Sequence, residues 1–103
     1  MSGPNAGITI TSSQLSGGPY ANGEIKVIAN NAAYATQWYA YQGSPSSNPI
    51  WLPTTNSPGN PSQYAPGAWM VMLKANQPVN FQSNPVAVTV VADRRTRVAV
   101  TYP

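Results

Sequence analysis

Apolar residues recur at every second position in short runs, and nowhere with the spacing of a helix. "GITITSS" puts Ile8 and Ile10 on one face. "GEIKVIA" puts Ile25 and Val27 on one face, with Glu24, Lys26 and Ile28 on the other. "ATQWYAY" sets Trp38 and Ala40 against Gln37, Tyr39 and Tyr41. "GAWMVMLKA" sets Trp69, Val71 and Leu73 against Met70, Met72 and Lys74. "VNFQ" predicts a brief strand, and "PIWLP" at most a short edge piece, because prolines on both sides forfeit ladder donors. "VAVTVVADRRTRVAVTY" predicts a hairpin of residues 86–91 and 97–102. Val86, Val88 and Val90 share one face of it, and Val98, Val100 and Tyr102 share one face of the partner strand. The intervening turn suits a type I turn with a bulge, Asp93 bonding its own backbone.

Short alternating strands separated by turn residues predict a single all-β sandwich of about seven strands. Residues 1–7 read as an extended N-terminal arm and residues 8–103 as the sandwich domain. Residues 43–66 read as a long Pro-rich loop. A plain linker has no use for Trp51 and Tyr64, and Pro53, Pro58, Pro61 and Pro66 bar a continuous strand. Loops longer than roughly 12–15 residues in a compact domain are usually functional or disordered. The expectation here is an ordered segment, folded over the sandwich or against a neighbour, with Trp51 as its anchor. Proline lowers the entropy lost on ordering such a segment.

Composition removes most chemistry. Only 7% of the 103 residues are charged, against roughly 25% in typical globular proteins. Self-repulsion is therefore weak, and docking into an assembly is tolerated. There is no cysteine and no histidine, so no disulfide or thiolate chemistry is expected, nor a zinc, copper or haem site of the usual kind. Glu24 and Asp93 are the only acids, too few for a carboxylate-rich calcium cage. Each also has a simpler role than catalysis, at a strand start and in a turn. No nucleophile has a histidine base, and "SGGPYANG" lacks the Gly-Lys-Ser/Thr ending of a phosphate loop. The expectation is a non-enzymatic protein without metal or cofactor. No apolar run is long enough to span a bilayer, so no membrane insertion is expected. The opening "MSGPNAGITIT" does not read as a secretory signal.

Residues 65–102, "APGAWMVMLKANQPVNFQSNPVAVTVVADRRTRVAVTY", resemble the C-terminal half of an immunoglobulin-like or prealbumin-like β-sandwich repeat. Pro66-Gly67, Trp69, Val71 and Val98-Ala99-Val100-Thr101-Tyr102 carry the resemblance. It implies a module of the kind found in surface adhesins and phage decoration proteins. Some modules of those families crosslink a lysine to an asparagine. The final strand here carries no asparagine, so that bond is not expected.

Three groups are candidate binding residues. Arg94, Arg95 and Arg97 cluster at the expected hairpin tip, where a solvated, pairing-blocking tip ranks above an acidic protein surface. Nucleic acid ranks last, because the net charge is only +3 and no aromatic interleaves the arginines. Tyr39, Tyr41, Trp51 and Tyr64 supply materials for a sugar-stacking platform, while Trp38 and Trp69 read as core. Met70 and Met72 point away from the core if Trp69, Val71 and Leu73 face it, and methionine suits an irregular contact surface. Together these favour a non-catalytic structural or interaction module. Its expected setting is the virion surface of a tailed phage, as a decoration or minor structural protein. The expected partners are protein subunits of that assembly, self-association included. The alternative is a carbohydrate-binding or adhesive domain of a secreted protein, with a glycan as partner.

Overall fold

The computed structural model describes residues 7–54, 64–75 and 80–102. Its strands are β1 (Gly7–Gln14), β2 (Glu24–Ala29), β3 (Gln37–Tyr41), β4 (Leu52–Pro53), β5 (Gly67–Ala75), β6 (Phe81–Gln82), β7 (Val86–Val90) and β8 (Arg94–Thr101). A 3₁₀ turn, Ala32–Tyr34, precedes β3, with the Asn31 side chain accepting from the Ala33 N–H. The expected N-terminal arm lies outside the described residues except for Gly7, which already opens β1 opposite Thr101.

Two sheets make a sandwich-like all-β fold. The smaller has the order β1-β8-β2, with β1 antiparallel and β2 parallel to β8. The larger has the order β4-β3-β5-β6, and β7 also pairs β5. β6 and β7 lie in succession along one side of β5: Ala75 and Lys74 oppose Phe81 and Gln82, and Val71 to Gly67 oppose Val86 to Val90. Between them Met72 and Leu73 face three residues, Ser83, Asn84 and Pro85. That is a β-bulge, and Pro85 sits where no ladder donor is required. Ser83 keeps the ladder closed there. Its N–H donates to the Leu73 carbonyl at 2.9 Å, and its Oγ accepts from the Leu73 N–H at 3.1 Å.

The alternation read from the sequence sets the inner faces. Ile25, Val27, Val98, Val100 and Tyr102 of one sheet meet Trp38, Val71, Leu73, Val88 and Val90 of the other, all buried. Trp69 faces the same way but is half-buried, its indole N–H donating to the Ala65 carbonyl at 2.9 Å. One end of the core is closed by aromatics. Tyr102 stacks on Tyr34 at 3.7 Å, takes the edge of Phe81 at 5.8 Å and hydrogen-bonds the Thr36 hydroxyl.

The hairpin expected from residues 86–102 is not formed. β7 pairs β5 and β8 pairs β1 and β2, so the chain changes sheet between them. The valine faces were read correctly, but two strands with inward valines also fit a crossover in which each faces the core from its own side. Asp93 makes the corner, with φ of 65°. Its carboxylate does not bond its own backbone: it accepts from the Tyr20 N–H at 3.0 Å and from the Gln14 amide. Its N–H donates to the Asn22 carbonyl and its carbonyl accepts from the Leu15 N–H. The corner therefore fastens the loop between β1 and β2.

Candidate functional site

Strand alternation puts one set of side chains on the outer face of the larger sheet. The register pairs Tyr41 with Met70 and Tyr39 with Met72, and places Gln37 against Lys74. Met70 in turn opposes Ala87, and Ala68 opposes Thr89. Every one of these residues is the odd partner of a core residue, so burying Trp38, Val71 and Leu73 forces them outward. Of the two methionines expected to face outward, Met70 is exposed and Met72 half-buried.

The chain after β3 returns across this face. Trp51 meets the Tyr39 ring edge-on at 4.8 Å, and the Lys74 ammonium sits 4.3 Å from the Trp51 ring centroid. Trp51 thus lies against β3 and β5, while the neighbouring Ile50 stays 81% exposed. Residues 55–63 of the Pro-rich loop lie outside the described residues. Tyr39 and Tyr41 lie 5.9 Å apart, tilted by 32°. Beyond Tyr41 the surface dips into an open hollow of about 250 Å³, lined by Tyr41, Gln42, Ala68, Met70, Ala87 and Thr89 among others. Lys74 is the one charged side chain among the register positions of this face.

Tyr64 does not join this group. It packs with Trp69 at 5.1 Å and Trp38 at 6.5 Å, beside the core. Its backbone exchanges two hydrogen bonds with Gly23, at 2.8 and 3.1 Å, so the far end of the loop is pinned at the base of β2. Burial raises the Tyr64 phenol above its ordinary value of 10.0.

The arginines are also elsewhere. They stand on β8, the central strand of the smaller sheet, rather than at a hairpin tip. The Arg94 guanidinium donates to the Ser12 hydroxyl at 2.7 Å, and Arg95 pairs with the nearly buried Glu24. Arg97 is exposed on the outer side of that sheet, level with Lys26 and Thr11. Two of the three are thus engaged within the chain. Both acids are engaged as well, Glu24 with Arg95 and Asp93 with the loop before β2.

Among the described residues there is no cluster of three acids, histidines or cysteines that could hold a metal ion, and no helix long and apolar enough to cross a membrane. The sequence signalled the outer face through the methionines, but not the hollow. That depends on Ala68 and Ala87, small residues whose absence of bulk beside Tyr41 and Met70 is visible only once the register is known. Comparison with known proteins gives no match to this chain, whether among family models, curated proteins or solved structures.

Proposed function

We propose that this chain is a non-catalytic interaction module, an immunoglobulin-like or prealbumin-like sandwich that docks on a larger assembly through the outer face of its larger sheet. The assembly we favour is a tailed-phage virion, with the chain as a decoration or minor structural protein on its surface. The observation that carries the docking reading is the composition of that face: Tyr39, Tyr41, Met70 and Met72 in direct register, flanked by Trp51 and a hollow. The solvated face of an antiparallel sheet is ordinarily polar. Aromatics and methionine are the residues enriched at protein interfaces, where charge is depleted. The near absence of charge supports attachment to a protein surface over attachment to nucleic acid.

The competing reading, a carbohydrate-binding or adhesive domain of a secreted protein, asks the same rings to offer flat faces to a sugar. Trp51 stands at 87° to Tyr39, Tyr39 and Tyr41 are not coplanar, and Lys74 sits over a Trp51 face. Interlocked rings of this kind suit an irregular protein surface better than the flat C–H face of a pyranose chair. Co-sedimentation with candidate tailed-phage particles tests the choice. Wild type should pellet with them, and the double variant Met70→Asp, Met72→Asp should stay in the supernatant while melting within about 5 °C of wild type. A glycan-array signal lost on Trp51→Ala, with no particle binding, would establish the competitor instead.

A further inference from the structure

The edges of the two sheets are not alike. Beside β2, the Gly23–Tyr64 bridge and the reach of Lys26 Nζ to the Thr54 carbonyl at 3.3 Å bring other chain against that edge. β4 carries Pro53, and the β6–β7 edge carries the bulge and Pro85. These are the usual devices that stop an edge from recruiting another strand. β1 has none of them among the described residues. It runs for eight residues in unbroken register with β8, "GITITSSQ", without proline, charge or bulge.

The hydrogen-bond direction along β1 follows from one anchor. The Leu15 N–H donates to the Asp93 carbonyl, so Leu15–Asp93 is a hydrogen-bonded pair. Antiparallel pairs alternate, so Gly7, Thr9, Thr11 and Ser13 bond β8. The N–H and C=O groups of Ile8, Ile10, Ser12 and Gln14 then point to the open side. The Val100 carbonyl, which accepts from Asn30 on the β2 side, fits the same alternation. Ile10, in the middle of this row, is 44% exposed although its side chain is on the core-facing side of the sheet.

We infer that β1 pairs edge to edge with β1 of a second copy of this chain, antiparallel and centred on Ile10. A strand crossing its own two-fold axis is self-complementary. Ile10 meets its own counterpart as a hydrogen-bonded pair, and Ile8 meets Ser12. Two half-covered isoleucines close over each other at the rim of the two cores. The uncharged strand brings no like charges together. Arg95 and Arg97 stand three strand spacings from their counterparts, about 14 Å. Arg94, which reaches over β1 to Ser12, is offset from its counterpart by four residues along the strands, also about 14 Å. Both distances exceed the screening length of roughly 10 Å at 0.1 M salt. The product is a continuous sheet with the order β2-β8-β1-β1-β8-β2. The outer face of the larger sheet takes no part, so the docking reading stands or falls separately.

Sedimentation of the full chain over a concentration series tests this. Wild type should show a reversible monomer–dimer equilibrium. Ile10→Lys, which opposes two ammonium groups and removes the apolar contact, should raise the dissociation constant at least about tenfold. Should that variant fail to fold, a cysteine scan still decides, because the chain has no native cysteine. Ile10→Cys places two thiols across a pair whose Cα separation of about 5.5 Å lies within disulfide range. It should crosslink much faster than Val91→Cys, an equally exposed site away from β1. A chain that remains monomeric, a dimer indifferent to Ile10→Lys, or equal crosslinking at both cysteines would overturn the inference.

Discussion

Asp93 ties separate parts of the chain together. It holds a left-handed φ, turns the chain from one sheet to the other, and accepts from Tyr20 and Gln14. Gly18 and Gly23 serve the same corner. A Cβ at Gly18 would fall 2.1 Å from the Asp93 carboxylate, and one at Gly23 would fall 2.6 Å from the Val91 carbonyl oxygen. Asp93→Ala should cost about 2–3 kcal/mol, from the left-handed backbone and the unpaired Tyr20 N–H. Asp93→Asn should cost clearly less, since asparagine tolerates that φ and keeps an acceptor. Denaturant midpoints distinguish the two, and equal losses would show that the carboxylate's charge matters more than its geometry. Two tyrosines give the fold a pH limit on the alkaline side. Burial raises Tyr102, with a smaller push from Tyr34 and a partial offset from the Thr36 hydrogen bond, and burial alone raises Tyr64. A phenol harder to ionise when folded loses its proton first in the unfolded chain. The stability it contributes is complete below the unfolded value of 10.0 and falls as pH rises through the folded value. Tyr102→Phe should therefore lower stability at neutral pH, where Thr36 loses its partner, yet flatten the decline above pH 10.

At the scale of elements, strand faces were legible and strand partners were not. Period-2 alternation located β2, β3, β5 and β7, and it assigned Met70, Met72 and Tyr39 to the outer side. Each inward residue has its burial dictated by its own chemistry, so one strand suffices for that reading. Pairing depends on where the chain goes next, and the Val86–Tyr102 segment shows the ambiguity. Inward valines on two consecutive strands describe a hairpin in one sheet or a crossing between two. What decides is Asp93 and its bonds to Gln14 and Tyr20, residues more than seventy positions away. The bulge at Ser83 was hidden for a similar reason: the short strand in "VNFQ" and the valine strand from residue 86 read as separate pieces, and only the β5 register shows them as one interrupted edge. Its serine has a measurable role. Ser83→Ala should leave the Leu73 N–H without an acceptor and cost about 1–2 kcal/mol, while Ser83→Thr should retain most of the stability. A neutral Ser83→Ala would mean that the bulge closes without the hydroxyl.

The whole molecule presents two unlike surfaces. The smaller sheet carries the arginines, which are largely engaged with Ser12 and Glu24, and the open β1 edge. The larger sheet presents the aromatic and methionine face, with the loop from β3 to β4 folded onto its margin by Trp51. Low charge makes both surfaces compatible with close neighbours. The two methionines also report directly on whether the larger sheet is covered. Peroxide converts methionine to the sulfoxide according to its exposure, and mass spectrometry assigns each site. In the isolated chain Met70 should oxidise quickly and the half-buried Met72 more slowly. In the assembled state both should be protected severalfold, Met70 the more strongly. Unchanged oxidation of Met70 between the isolated and assembled chains would contradict docking through this face.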